Sequence, residues 1–232
     1  MKKIKIGLFG LGNTGKVVAH SLFHDKKFDL IFAVKNRVAK AKEFDFVVEP
    51  KELIDNLIRE LKPHMVIDFT APQAVMENID KLNEGMGYVI ATTGFTDSQL
   101  RKIKKYKNLR ILYAPNISDG INVLIRACKL MNRIWGHADS EIIEQHFKGK
   151  KDAPSATAEK ITNVLPGNTP VHSVRAGGIT GVHQVIMATD NQKITLEHES
   201  FNREVFAKGA KRAALWLQDK DCGFYDIAEV YK

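Results

Sequence analysis

The segment "HFKGKKDAPSAT", residues 146–157, concentrates the side chains best suited to chemistry. An imidazole such as His146 titrates at about 6.5 when unperturbed, so it can release a proton near neutral pH. Lys148, Lys150 and Lys151 surround it with positive charge, and Asp152 reads as a cap or brace for the turn. Ser155 is a residue type that caps helices, and a helix starting at "SATAEK" would turn the backbone N–H groups of Ala156 and Thr157 toward an anion. These types in this order suit a site that grips a small, doubly acidic molecule and hands it a proton. A solvated basic loop is the plainer alternative.

Such a segment needs elements to position it. In the first half of the chain "IKIGLF" (4–9), "LIFAV" (30–34), "MVIDF" (65–69), "YVIAT" (88–92) and "RILYA" (110–114) read as buried strands. Helix-like patterns at 15–24, 51–61, 73–86 and 97–106 separate them. Near-continuous apolar strands alternating with helices predict a parallel sheet covered on both faces. Ligands of such sheets bind beyond the carboxyl ends of the strands, at the loops "GLGNTG", "KNR", "TAPQ", "TGFT" and "PNISDG". After residue 117 the texture changes. A helix-like stretch at 120–135 leads to "DSEIIEQHF", "VHSVRA" and "VHQVIMATDNQKITLEHES", then to a helix-like stretch at 204–218. Polar and apolar residues alternate in "KITLEHE", as in a half-exposed antiparallel strand, and "DNQ" before it suits a hairpin turn. This half predicts a second, smaller α+β domain.

Gly10, Gly12 and Gly15 form G-x-G-x-x-G where the first strand meets the first helix. In that context the glycines allow a tight turn, backbone approach to a pyrophosphate and close helix–strand packing. The plainer alternative is a tight turn with no ligand. Gly10 to Lys16 also nearly spell a P-loop, but Val17 stands where a hydroxyl should hold Mg²⁺. The second strand ends in "AVKNR", with Lys35 and Arg37 where an NAD-binding fold usually carries an acid. Two cations there suit the 2′-phosphate of NADPH; a solvated loop is again the alternative.

The formal net charge of +8 suits anionic partners without choosing among them. Nucleic acid is disfavoured, because neither a recognition-helix motif nor an RNP-like aromatic motif is present. Two cysteines, Cys128 and Cys222, imply a reducing, cytoplasmic setting rather than a disulfide framework. The apolar run near Met1 is short, glycine-rich and closed by Asn13 and Lys16, and reads as structure rather than a signal peptide. No apolar run approaches the ~20 residues of a membrane span, so no membrane partner is expected. No cluster of His, Cys and carboxylates has structural-zinc spacing, and no metal is expected.

Taken in order, "VIDFTAP", "ATTGF", "APNISDGIN", "EIIEQHFKGKKDAPSATA", "VRAGGITGVH" and "FAKGAKRAALWL" resemble the 4-hydroxy-tetrahydrodipicolinate reductase (dihydrodipicolinate reductase) family across essentially the whole chain. The resemblance implies an α/β fold: an N-terminal Rossmann-type parallel sheet with a smaller α+β substrate domain. Residues 1–116 plus 204–232 would bind the dinucleotide, and 117–203 would bind substrate and support a homotetramer. It implies hydride transfer from NADPH, or NADH, to a small cyclic imine dicarboxylate in lysine and diaminopimelate biosynthesis. It makes His146 the proton donor and Lys150 its catalytic and substrate-binding partner. It places a substrate carboxylate on Ser155, Ala156 and Thr157, with Arg203 nearby. On the cofactor side it adds Asn13 and Thr14 to the three glycines, then Phe69, Thr70, Thr92, Thr93, Gly94, Ala114 and Asn116.

Three positions depart from the family pattern. Phe147 replaces a second histidine, Ala156 replaces the glycine of Ser-Gly-Thr, and Asn13 stands where the family's glycine loop carries an arginine. The departures keep two rival readings open: a related reductase for another cyclic imine, and a non-catalytic NADP-binding sensor. His183 and His198 fit alternating strands and read as structural.

Overall fold

The computed structural model describes residues 2–36 and 44–232. The chain forms two compact units, Met1–Ile117 with Phe206–Lys232, and Ser118–Val205.

The larger unit is built on β1 (Ile4–Phe9), β2 (Phe28–Lys35), β3 (Val48–Pro50), β4 (Met65–Asp68), β5 (Gly87–Ile90), β6 (Arg110–Tyr113) and β11 (Gly223–Asp226). Their order is β11-β6-β5-β4-β1-β2-β3, and every pairing is parallel. Helices α1 (Asn13–Phe23), α2 (Ile54–Leu61), α3 (Pro72–Asn78), α4 (Asp97–Ile103) and α7 (Glu204–Gln218) accompany the sheet. Successive side chains of β1 point to opposite faces, and both faces are buried. Ile6 and Leu8 pack with Val18, Leu22, Ala210 and Leu217; Phe9 joins Phe32, Ile54, Ile58 and Val75. Because each fully buried aliphatic or aromatic side chain contributes about 1.5–3 kcal/mol, the central strands carry near-continuous apolar runs rather than an apolar residue at every second position.

The edges and some helix ends differ from the sequence expectation. The edge strands β3 (VEP) and β11 (GFYD) carry no continuous apolar run, so nothing in the sequence marks them as strands. Pro50 in β3 belongs at an edge, where its missing N–H leaves no ladder bond unmade. The helix expected at 73–86 stops at Asn78, passes through a 3₁₀ turn Ile79–Lys81 and gives way to a turn in which Gly85 has φ +77°. The pattern at 51–61 opens with a 3₁₀ turn Lys51–Leu53 before α2.

The smaller unit holds β7 (Asp139–His146), β8 (Val171–Arg175), β9 (Val182–Thr189) and β10 (Gln192–Glu199), ordered β10-β9-β7-β8. β9 and β10 form an antiparallel hairpin across Asp190 and Asn191, β7 runs antiparallel to β9, and β8 runs parallel to β7. Helices α5 (Asp119–Trp135) and α6 (Ala156–Thr162) cover one sheet face. Ile142, Val185 and Met187 on that face pack with Ile121, Leu124, Cys128, Ala158 and Ile161.

Candidate active site

Period-two alternation puts Ile142, Glu144 and His146 of β7 on the helix-covered face. Register brings the partners of the last two onto the same face. Glu144 stands opposite His183 of β9 and Ser173 of β8, and His146 stands opposite Arg175. Glu144 is fully buried, a position tolerable for a carboxylate only if it is paired. Its Oε1 accepts from Arg175 Nη2 at 2.6 Å, and its Oε2 accepts from His146 Nδ1–H. Burial alone would raise its pKa. Donation from Arg175, Ser173 and His146 outweighs that and holds the carboxyl down at about 2. Arg175 Nη2 also donates to the backbone carbonyl of Asp152 at 2.6 Å, tying the basic loop to β8.

The His146 side chain is 12% exposed. Desolvation lowers its pKa, Glu144 pulls it back up, and the charges of Lys150 and Arg175 push it down again. The His183 ring meets it edge-on at 5.2 Å and 77°. His183 is held neutral by burial, with His146 adding to the effect, and its pKa falls to about 3. Its Nε2 lies 3.2 Å from Ser155 Oγ, which also accepts from Ala158 N–H at 3.2 Å and so caps α6. Ala156 is exposed and Thr157 half-buried at this helix start. The Lys150 ammonium spans both oxygens of Asp152 at 2.8 Å. That pair is partly exposed, so it holds the ammonium weakly enough for another carboxylate to compete. Glu144, His146 and His183 offer ligand atoms within 4.8 Å of one another. Arg175 already sits on the one carboxylate of that group, and both carboxylate oxygens are committed, so the arrangement suits proton handling rather than a cation.

In the larger unit, Gly10 has φ +89°, and a Cβ there would lie 2.7 Å from the Phe69 carbonyl oxygen. A Cβ on Gly15 would lie 1.9 Å from the Gly10 carbonyl oxygen, so only glycine allows α1 to pack against the turn. A Cβ on Gly12 would meet nothing within 4 Å. The middle glycine therefore borders open space at the N-terminus of α1, beside Asn13 and Thr14, as a pyrophosphate cradle requires. A cleft of about 520 Å³ continues from this turn, lined by Gly10, Gly12, Lys35, Lys51, Thr70 and Glu77 among others. Lys51 was not singled out in the sequence. Arg37 lies outside the described residues.

The loops beyond β4 and β5 are joined by a buried carboxylate. Asp68 accepts from Thr70 N–H at 2.8 Å and Tyr88 Oη at 2.6 Å, and from Thr92 Oγ1 at 3.0 Å. Thr92 is 3% exposed and Ala114 fully buried. Their side chains belong to the interior, which leaves their backbone for contact with a ligand. Thr93 and Gly94 are exposed, Phe69 is half-buried, and Asn116 is buried.

Comparison with known proteins decides the family. The model for "Dihydrodipicolinate reductase, N-terminus" matches residues 4–117, and that for "Dihydrodipicolinate reductase, C-terminus" matches residues 120–231. The chain belongs to the dihydrodipicolinate reductase family. The 4-hydroxy-tetrahydrodipicolinate reductase of Bdellovibrio bacteriovorus is 34% identical over 99% of this chain and 97% of its own. That of Rickettsia bellii is 38% identical over 72% and 75%. Among solved structures, dipicolinate-bound dihydrodipicolinate reductase from Paenisporosarcina sp. TG-14 has a TM-score of 0.81 at 24% identity, covering 97% of this chain and 98% of that one. That likeness bears on the fold.

For a member of the dihydrodipicolinate reductase family, the structure brings some expected residues together and leaves others apart. His146, Lys150 and Ser155 join one cluster through Glu144, Arg175 and His183, none of which was assigned a chemical role from sequence. Arg203 is exposed, one residue before α7, with no described bond to that cluster. Phe147 is 40% exposed, its ring close over Gly149. His198 packs against Gly120 on the covered sheet face. No helix among the described residues is long and apolar enough to cross a membrane.

Proposed function

We propose that this chain reduces 4-hydroxy-tetrahydrodipicolinate to tetrahydrodipicolinate in lysine and diaminopimelate biosynthesis, as an NAD(P)H-dependent cytoplasmic enzyme. The observation that carries the reading is a half-buried imidazole, bonded to a buried carboxylate, in a chain matched by family models in both halves. Bound NADPH or NADH would supply the hydride. Hydride addition to one carbon of a conjugated imine sends an electron pair to a neighbouring atom, which must then take a proton. His146 donates that proton. Lys150 exchanges Asp152 for a substrate carboxylate and stabilises negative charge as it develops. Ser155, Ala156 and Thr157 hold the other carboxylate, and Arg203 adds a cation.

Gly10, Gly12, Asn13, Thr14 and Gly15 hold the pyrophosphate. Phe69, Thr70, Thr93, Gly94 and Asn116 border the nicotinamide side, with Thr92 and Ala114 contributing backbone. NADPH is favoured over NADH. Lys35 and Lys51 share one cleft with the glycine turn, and Lys35 ends β2 with Arg37 next but one in sequence, where an acid would select NADH. A homotetramer is supported by the sheet face opposite α5 and α6, which carries Ile143, Ile186 and exposed Val174; sedimentation of the full chain tests it.

The deciding assay follows NADPH oxidation with the freshly generated pathway intermediate and with simple cyclic imines. Turnover of the dicarboxylate supports the reading. Phe147, exposed where the family carries an imidazole, favours a second reading in which another, less polar cyclic imine is the better substrate. Turnover of that imine alone would replace the first reading by the second. NADPH binding with no turnover of any imine would favour a sensor.

A further inference from the structure

Three contacts define the orientation of His146. Nδ1 donates to Glu144 Oε2. The ring edge meets His183 at 5.2 Å. Nε2 lies over Gly181, where an added Cβ would stand 3.3 Å from it. Glu144 is itself immobilised, because its second oxygen is bonded to Arg175 at 2.6 Å, and Arg175 is anchored on the Asp152 carbonyl. An ionised carboxylate accepts and never donates, so its bond to Nδ1 requires the imidazole proton on that nitrogen. Nε2 is left as the nitrogen that gains and loses the exchangeable proton.

We propose that Glu144, pinned by Arg175, is the positioning residue for His146: it keeps Nδ1 protonated, aims Nε2 as the proton-delivering atom and counters the cations around the ring. The proposal rests on the reading of His146 as the proton donor. The charged and titratable groups around the ring are Glu144 on its own strand, Arg175 on β8, neutral His183 on β9, and Lys150 in the following loop with its partner Asp152. Lys150 and Arg175 both disfavour the imidazolium, and Glu144 is the group that favours it. Without Glu144 the two cations would act unopposed and shift the ring further toward its neutral form.

The test uses the full chain labelled with ¹⁵N-histidine, with H146Q to assign the His146 signals. Above its pKa, wild-type His146 should be protonated at Nδ1 and bare at Nε2. E144Q should lower the His146 pKa by about one unit or more, the usual effect of removing an adjacent opposite charge. The limb on which kcat/KM falls with rising pH should move down by the same amount, while KM for NADPH stays unchanged. E144D, which keeps the charge, should leave that limb near its wild-type position even if kcat falls. A role for Glu144 in packing alone would lower activity at all pH values without moving the limb. An Nε2-protonated wild-type ring, or an unmoved limb in E144Q, overturns the proposal. If E144Q does not fold, the wild-type tautomer decides. If H146Q keeps turnover, the proton-donor reading falls, while tautomer and pKa still report whether Glu144 holds the ring.

Discussion

The glycine turn of the larger unit is made from residues 10–15 and from backbone. The His146 cluster is made from side chains on β7, β8 and β9 and at the start of α6. In the proposed function the first would meet its ligand by leaving room for it, since a Cβ at Gly15 would strike the chain and one at Gly12 would enter open space. The second would act by charge and proton placement, around a buried carboxylate held by Arg175, Ser173 and His146 together. Space is a local property of a short segment. A compensated buried charge is a property of several segments at once.

The sharpest way to test that contrast is to remove one group from each site. His146→Gln keeps volume and removes the proton, so kcat should fall by about 10²–10⁴-fold. NADPH affinity, measured by titration, should stay unchanged. Near-wild-type turnover in a folded variant would remove His146 from the chemistry.

In the turn, two substitutions of the same size should behave differently. Gly15→Ala forces a carbon to 1.9 Å from a backbone oxygen, so α1 must shift, and both the melting temperature and NADPH binding should drop sharply. Gly12→Ala meets nothing within 4 Å, so the melting temperature should hold while NADPH binding weakens. Equal losses of stability in the two variants would contradict a turn whose middle position is reserved for a ligand.

Acid should act oppositely on buried groups of the two units. His183 falls from the usual 6.5 to about 3 on folding, so its contribution is complete above about 6.5 and is lost as pH falls toward 3. Glu144 falls from 4.5 to about 2, so its contribution is complete above about 4.5 and is lost below it. Burial raises Asp68 in the larger unit, so its contribution is present below the usual 3.8 and is lost as pH rises through its folded value. Melts between pH 7 and pH 4.5 should therefore show stability falling with acid, and His183→Gln should flatten that slope. An unchanged slope in the variant would assign the loss elsewhere.

The smallest effect is expected at Phe147. Restoring an imidazole there should add one hydrogen bond to a substrate carboxylate, an interaction of about 1.5–3 kcal/mol at most. Phe147→His should then lower KM for the dicarboxylate with little change in kcat. An unchanged or higher KM, with a simpler imine preferred in kcat/KM, would favour the second reading.

Much of the larger unit was legible because its signals are local. Five continuous apolar runs announce strands buried on both faces, and Gly10, Gly12 and Gly15 announce the turn that follows the first. The helix at 204–218 was equally plain. The edge strands β3 and β11 were not, because VEP and GFYD contain no apolar run to mark them. His146, Lys150 and Ser155 could be read from one contiguous segment. Glu144 two residues before His146 was readable in principle, since alternation puts both on one sheet face. The sequence by itself determined which residues carry charge, protons and backbone freedom, because those follow from residue type and near neighbours. Only the tertiary structure decided which of them meet. The parallel register of β8 on β7 sets Arg175 beside His146, and the antiparallel register of β9 sets His183 opposite Glu144. A slip of one residue in either pairing would turn those side chains to the opposite face and leave the Glu144 carboxylate buried without its partners.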